Sequence, residues 1–254
     1  MIAVFVMREE EMMIRGIGTM VNVLAILLGG GIGLLVQGGL SKNLQDSLMK
    51  ACGLSTMMIG ISGALQEMME IQNDTLSVSG TLLIVLSLVI GVFVGELLHI
   101  EEKLEQLGEF VKAKCKQKSD SRFSEGFVTV TLIFCVGAMA IVGSLEDGIM
   151  GDPSILFVKS MLDGVVALVF ASTLGLGVLF SIFPLALYQG GITAFSVMIE
   201  PYLTDVLISQ MSMVGSVLIL GIGINLTFGK QIKIGNFLPA LLIPVFYQLI
   251  LKIF

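Results

Sequence analysis

Between Phe134 and Gly164 the chain reads FCVGAMAIVGSLEDGIMGDPSILFVKSMLDG, an apolar opening followed by Glu146, Asp147, Asp152, Lys159 and Asp163. Glu146, Asp147 and Asp152 sit among Gly and Pro at what reads as a helix-loop-helix corner. There Asp152 or Ser154 would cap the following helix and Pro153 would fit its first turn. Lys159 and Asp163 lie too far into the next apolar run to be caps. Four residues apart, they share a helix face and can pair. A carboxylate eight residues into an apolar segment, with VVALVFASTLGLGVLF still to come, would face a bundle interior or a wet cavity. A charge at the centre of a spanning helix costs about 2.5–3.5 kcal/mol even on insertion scales. Such a group can bind a cation or carry a proton, with the lysine as its partner. The alternative is a solvated interfacial pair, with the span starting only at Gly164.

Uncharged polar residues form a second set. Thr19 and Asn22 stand one turn apart near the start of an apolar run, and their face continues through Ile26 to Gly29, Gly30 and Gly33. Glycine at that spacing lets another helix approach closely, so Asn22 could bond a neighbouring helix as readily as a ligand. The string YQGGIT places Gln189 and Thr193 around Gly190 and Gly191, the pattern of a broken helix whose free backbone groups hold ions or solutes. GIGIN supplies Asn225, and Asn236 reads as the cap of the last span. Glu96 and the single histidine, His99, read as interfacial. Cys52, Cys115 and Cys135 have no paired spacing and read as packing thiols. No HExxH, no nucleophile beside a base and no metal-ligand cluster is present in the sequence. The expectation is therefore no catalytic residue, no metal, no cofactor and no enzymatic activity.

The elements that must hold these residues are set by composition. Of 254 residues, 55% are hydrophobic and 13% charged, and the mean hydropathy is +0.98. Soluble domains carry about 25% charge. A hydrocarbon core about 30 Å thick needs roughly 20 apolar residues per helix, and several windows supply them. Runs such as TLLIVLSLVIGVFVG are apolar on all sides, which excludes the alternating strands of an outer-membrane barrel. The class is an all-α polytopic membrane bundle. A net charge of −6 with basic residues confined to a few loops excludes a nucleic-acid binder.

Residues 1–15, MIAVFVMREEEMMIR, read as an extension whose apolar part is too short for a secretory signal; Met12 or Met13 would serve equally as starts. Residues 16–254 read as a single transmembrane domain. Spans are expected at about 16–38, 52–68, 80–99, 127–145, 155–183, 209–228 and 236–253, with SKNLQDSLMKA as a short interfacial turn or helix. The stretch 184–199 either crosses, giving eight spans, or dips in and returns, giving seven. The polar segment 101–126 carries Lys103, Lys112, Lys114, Lys116, Lys118 and Arg122, which place it in the cytoplasm. Its Leu104, Leu107 and Val111 recur at helical spacing, as in a helix lying on the membrane surface. The corner at Glu146–Asp152 then falls outside. Lys230 and Lys233 come inside only if 184–199 crosses, so the charge rule favours eight.

LAILLGGGIGLLV (24–36) is similar to LVFASTLGLGVLF (168–180), and TMMIGISGAL (56–65) to SVLILGIGINL (216–226). Eight spans give the first pair equal and the second pair opposite orientation, so they do not form one simple duplication.

Taken together, GTMVN (18–22), FCVGAMAIVGSLEDG (134–148), KSMLDG (159–164), STLGLGVLFS (172–181), YQGGIT (188–193), GIGIN (221–225) and NFLPALLIP (236–244) resemble the bacterial membrane family called domain of unknown function 554. The resemblance runs from about Gly16 to the end and implies a multi-pass inner-membrane protein of prokaryotes. It implies no activity.

The residues themselves point to a small-solute or ion transporter. Asp163 would carry the ion or proton with Lys159 beside it, and Thr19, Asn22, Gln189, Thr193 and Asn225 would be uncharged ligands. The competing expectation is a structural or regulatory membrane subunit whose polar residues only lock helices together. The bilayer is the partner in either case, and glycine-lined faces would permit a homodimer.

Overall fold

The computed structural model describes residues 15–37, 39, 41–72, 75–114, 122–135 and 138–253. All but Arg15 of the expected N-terminal extension (1–15), and Cys115, Lys116 and Lys118, lie outside them. Twelve helices and one hairpin follow in order among the described residues: α1 (Ile17–Gln37), α2 (Lys42–Met68), β1 (Met69–Gln72), β2 (Thr75–Val78), α3 (Thr81–Leu98), α4 (Ile100–Lys114), α5 (Phe123–Cys135), α6 (Ala138–Ile149), α7 (Ser154–Leu174), α8 (Gly177–Phe180), α9 (Ile182–Ala194), α10 (Ser196–Ile199), α11 (Asp205–Phe228) and α12 (Ile243–Ile253). A 3-10 segment, Ile234–Leu242, leads into α12.

Among the described residues seven stretches are long and apolar enough to cross a membrane, or eight if α5 and α6, bent 60° apart, count as one broken span. Two placements differ from the sequence reading. The segment SKNLQDSLMKA is no separate interfacial piece: capped by Ser41, whose hydroxyl accepts the N–H of Leu44, it runs straight into the second span. Nothing between Lys42 and Ala51 breaks a helix. The expected 155–183 span ends at Leu174, because Gly175 takes φ 81° and turns the chain. At 1.5 Å per residue a 29-residue helix would run about 44 Å, well past the hydrocarbon. Gly177–Ala194 therefore forms the next crossing.

The ion pairs agree with that crossing. Lys230 bonds Glu105 and lies 2.8 Å from Glu101, at the start of α4. Burial alone would lower its pKa, but the hydrogen bonds and charges of the two glutamates outweigh it and leave the ammonium above its ordinary value. Residues 101 and 230 thus share one side of the bundle, which needs an even number of crossings between them; with the bent α5–α6 pair counted as one, these are α5–α6, α7, α8–α9 and α11. Without the 177–194 crossing the count would be odd.

Asn236 does not cap its own span. It is buried in the 3-10 segment, and its side-chain oxygen accepts the N–H of Glu101 at 2.7 Å, capping α4 instead. Glu101 returns the bond by accepting the N–H of Gly235. Glu96 is exposed, 3.7 Å from Lys233, and His99 is exposed in the left-handed conformation that ends α3.

Glycine decides which helices meet. A Cβ on Gly29 would overlap the carbonyl oxygen of Gly164, and one on Gly33 that of Leu168, so α1 and α7 run backbone to backbone. Contacts climb together along both, from Gly18–Leu156 to Gly33–Leu168, so the pair is parallel. Helices α2 and α11 meet as closely but antiparallel, Gly53 lying against Thr227 and Gly60 against Leu220. The two sequence-similar pairs are thus each in contact; α2 and α11 have the opposite orientation expected, whereas 168–180 straddles the turn at Gly175, so only its α7 part runs parallel to α1. Beside them a core of Ile26, Phe134, Phe170, Leu174, Leu185 and Leu218 fills the space between α1, α5, α7, α9 and α11.

Candidate functional site

Helix α1 enters the bundle at a buried carboxylate. Asp147, at the end of α6 and 0% exposed, accepts the N–H of Gly16 at 3.0 Å and of Gly18 at 3.2 Å. These are N-terminal donors that α1 cannot satisfy itself, and a negative charge also suits the positive end of its dipole. The neighbouring Gly148 packs against the carbonyl of Thr193 and the side chain of Ser196. The end of α6 therefore joins the start of α1 to the end of α9, which makes α1 and α9 antiparallel. Asp147 thus has a positioning role that the sequence does not show, where it reads only as part of a helix-loop-helix corner.

Little more than one turn further along α1, the predicted residues converge. Asn22 is completely buried and spends both amide hydrogens: Nδ2 donates to Oδ2 of Asp163 at 2.9 Å and to Oε1 of Gln189 at 3.2 Å. Lys159 pairs with the same Asp163 oxygen from one turn earlier on α7. Its Nζ also lies 5.8 Å from the centroid of the Phe134 ring, where the ring's negative face favours it. Asp163 is 7% and Lys159 6% exposed, so the pair is not the solvated interfacial one. With α7 starting at Ser154, Asp163 lies nine residues, about 14 Å, into its helix.

Around this network several polar atoms are buried with no hydrogen-bond partner: Oγ1 of Thr19, Oδ1 of Asn22, Nε2 of Gln189 and Oγ1 of Thr193. Thr19 stands one turn before Asn22 on α1, and Thr193 one turn after Gln189 on α9. Because the helices are antiparallel, both threonines fall on the Asp147 side of the Asn22–Gln189 bond. An unsatisfied buried polar atom costs about 1–3 kcal/mol. Together they are a large stability debt held in one place.

Six of the seven residues expected at a site are thus brought together. Asn225 is not among them. Its amide donates to the carbonyl of Ile232, and its Oδ1 accepts the N–H of Gln231 and of Ile232, so it ties down the loop after α11. It borders a cavity of about 580 Å³ at the opposite end of the bundle, lined also by Glu101, Glu105, Glu125 and Lys230. Nor is YQGGIT a break. Gly190 and Gly191 lie inside the continuous α9, and a Cβ at either would meet nothing within 4 Å. Gln189 and Thr193 reach the site as ordinary helical side chains. No group of three or more His, Cys, Asp or Glu that could hold a metal occurs among the described residues.

The family described as protein of unknown function (DUF554) matches residues 17–249. The chain is 32% identical, over 89% of its length and 93% of the relative's, to "Uncharacterized membrane protein YdfK" of Bacillus subtilis (strain 168). It is 29% identical to "Uncharacterized protein YqgA" of Escherichia coli (strain K12), covering 90% of this chain and 94% of the other. No solved structure matches.

Proposed function

We propose that this chain, which belongs to the DUF554 family and is a multi-pass membrane protein, moves a small solute or ion across the bacterial inner membrane through the polar site between α1, α7 and α9. The observation that supports this is the set of unsatisfied polar atoms gathered around Asn22 and Gln189, deep in the bundle beside the Lys159–Asp163 pair. A subunit that used its polar residues only to lock helices would gain by satisfying them. Polar and ionisable groups at this depth are costly and mark solute and ion pathways.

In this reading Asp163 and Lys159 keep the site charged but balanced, Asn22 and Gln189 present the ligand-facing amides, and Thr19 and Thr193 line the approach from the Asp147 end. That end is the outer one if the basic 101–126 segment is cytoplasmic. The function proposed is not enzymatic. The protein's partners are then the bilayer and the solute it carries.

The test is reconstitution. Purified protein in lipid vesicles is challenged with a panel of ions and small metabolites, alongside Asp163→Asn. Protein-dependent flux that Asp163→Asn abolishes, while the variant remains folded, is expected. A folded Asp163→Asn protein that carries solute at the normal rate would overturn the assignment.

A further inference from the structure

The donor and acceptor inventory of the site narrows what it carries, and this step rests on the transport reading above. Asn22 and Gln189 are joined along one edge only. Nδ2 of Asn22 has no hydrogen left, since it already donates to Asp163 and to Gln189. Its Oδ1 is therefore left as an acceptor with nothing to accept, and Nε2 of Gln189 as a donor with nothing to receive it. The carboxylate of Asp163 fixes this orientation of Asn22, because the reverse would set two oxygens against each other. The hydroxyls of Thr19 and Thr193, each able to donate and accept, continue the same seam between α1 and α9.

Charge supplies the second constraint. The carboxylate at the site already has its ammonium, and Asp147 is held by the N–H groups of α1. A bare cation or anion lodged in the seam would add an uncompensated charge to a low-dielectric interior and would face either an orphan donor or an orphan acceptor of the wrong sign. A neutral molecule adds none.

We propose that the cargo is a small uncharged polar solute that carries a hydrogen-bond donor and acceptor side by side, as primary amides, ureas and small hydroxylic solutes do. It seats on the α1–α9 seam, donating to Asn22 Oδ1 and accepting from Gln189 Nε2. Lys159 and Asp163 do not touch it; they are positioning residues that hold Asn22 in register.

The experiment measures vesicle uptake of urea, acetamide and glycerol against sodium, potassium, chloride, acetate and methylammonium, for the wild type and for a Thr19→Val/Thr193→Val double variant. Those threonine hydroxyls bond nothing, so removing them leaves the fold intact or firmer while stripping the seam. Uptake of an uncharged solute above that of empty vesicles is expected, falling about tenfold or more in a double variant that melts no lower than the wild type. Uptake unchanged by the double variant overturns the seam as the path. Movement of ions or charged solutes in place of the uncharged ones overturns the cargo class and leaves transport standing. Water permeation alone overturns the cargo class as well. No protein-dependent movement of anything overturns the transport reading itself.

Discussion

The carboxylate of Asp147 lies 3.2 Å from the backbone nitrogen of Gly18, 129 positions away in the chain. The contact caps the first spanning helix with a side chain from α6 and fixes the height at which Thr19 and Asn22 stand. Losing a capping side chain costs about 0.5–2 kcal/mol. Asp147→Ala is expected to lower the melting temperature in detergent, and Asp147→Asn, which keeps one acceptor, to lower it less. Equal losses in the two variants would show that the cap is not what Asp147 contributes.

The Lys159–Asp163 pair should behave as a balanced unit. Removing one partner of a buried pair costs about 3–5 kcal/mol, because the other is left charged and alone. Asp163→Leu, which unlike Asp163→Asn leaves Lys159 and Asn22 no oxygen to bond, should therefore express poorly, whereas Lys159→Met/Asp163→Leu together should recover folding, measured by monodisperse yield and melting. Neither should transport, since Asn22 loses the oxygen that orients it.

Glycines on the two sides of the site should respond in opposite ways. Gly29→Ala drives a methyl into the carbonyl of Gly164, and overpacking of this kind costs about 1–3 kcal/mol. Gly190→Ala and Gly191→Ala place theirs in open space within α9, where alanine is favoured over glycine by up to about 1 kcal/mol. Thermal unfolding of the three variants should order them with Gly29→Ala lowest. A destabilised Gly191→Ala would revive a broken helix at that point.

Side-specific labelling checks the crossing count. In a background without Cys52, Cys115 and Cys135, thiols introduced as Glu105→Cys and Lys230→Cys should react from one side, and Asp205→Cys from the other. The Lys230 cluster is largely exposed, so breaking it should change stability by no more than about 1 kcal/mol. Its lysine is held above the ordinary value, so that contribution is fully present at neutral pH and is lost as pH rises through the raised pKa.

Much of this architecture is readable from residue order. Hydropathy locates most spans because each apolar run must fill the same thickness, and Lys159–Asp163 stands out because charge is so costly there. Helix ends were read less well. Apolarity continues unbroken through STLGLG, so nothing in composition marks Gly175, rather than Gly190 or Gly191, as the place where the chain turns. Asn22 and Gln189 were both suspects, but their bond joins residues 167 apart and rests on which glycine faces admit which helix. The capping role of Asp147 is hidden for the same reason. The backbone that a carboxylate at a helix end caps can be distant in the chain; likewise Asn225, which satisfies a loop, looks like a ligand, and Asn236, which caps α4, looks like the cap of its own span, until their partners are known.

The bonds from Asn22 to Asp163 and Gln189 also set a timetable. Ribosomes add about 5–20 residues per second, so α1 is inserted some ten to thirty seconds before α7 and α9 exist to meet it. Throughout that interval the newborn first span holds its asparagine amide in the bilayer without its final partners. Shelter from the insertion machinery, or a shallow resting depth for α1 until the later helices emerge, is the natural consequence. The opening step of this protein's biogenesis is then governed by a side chain whose purpose is realised only near its last.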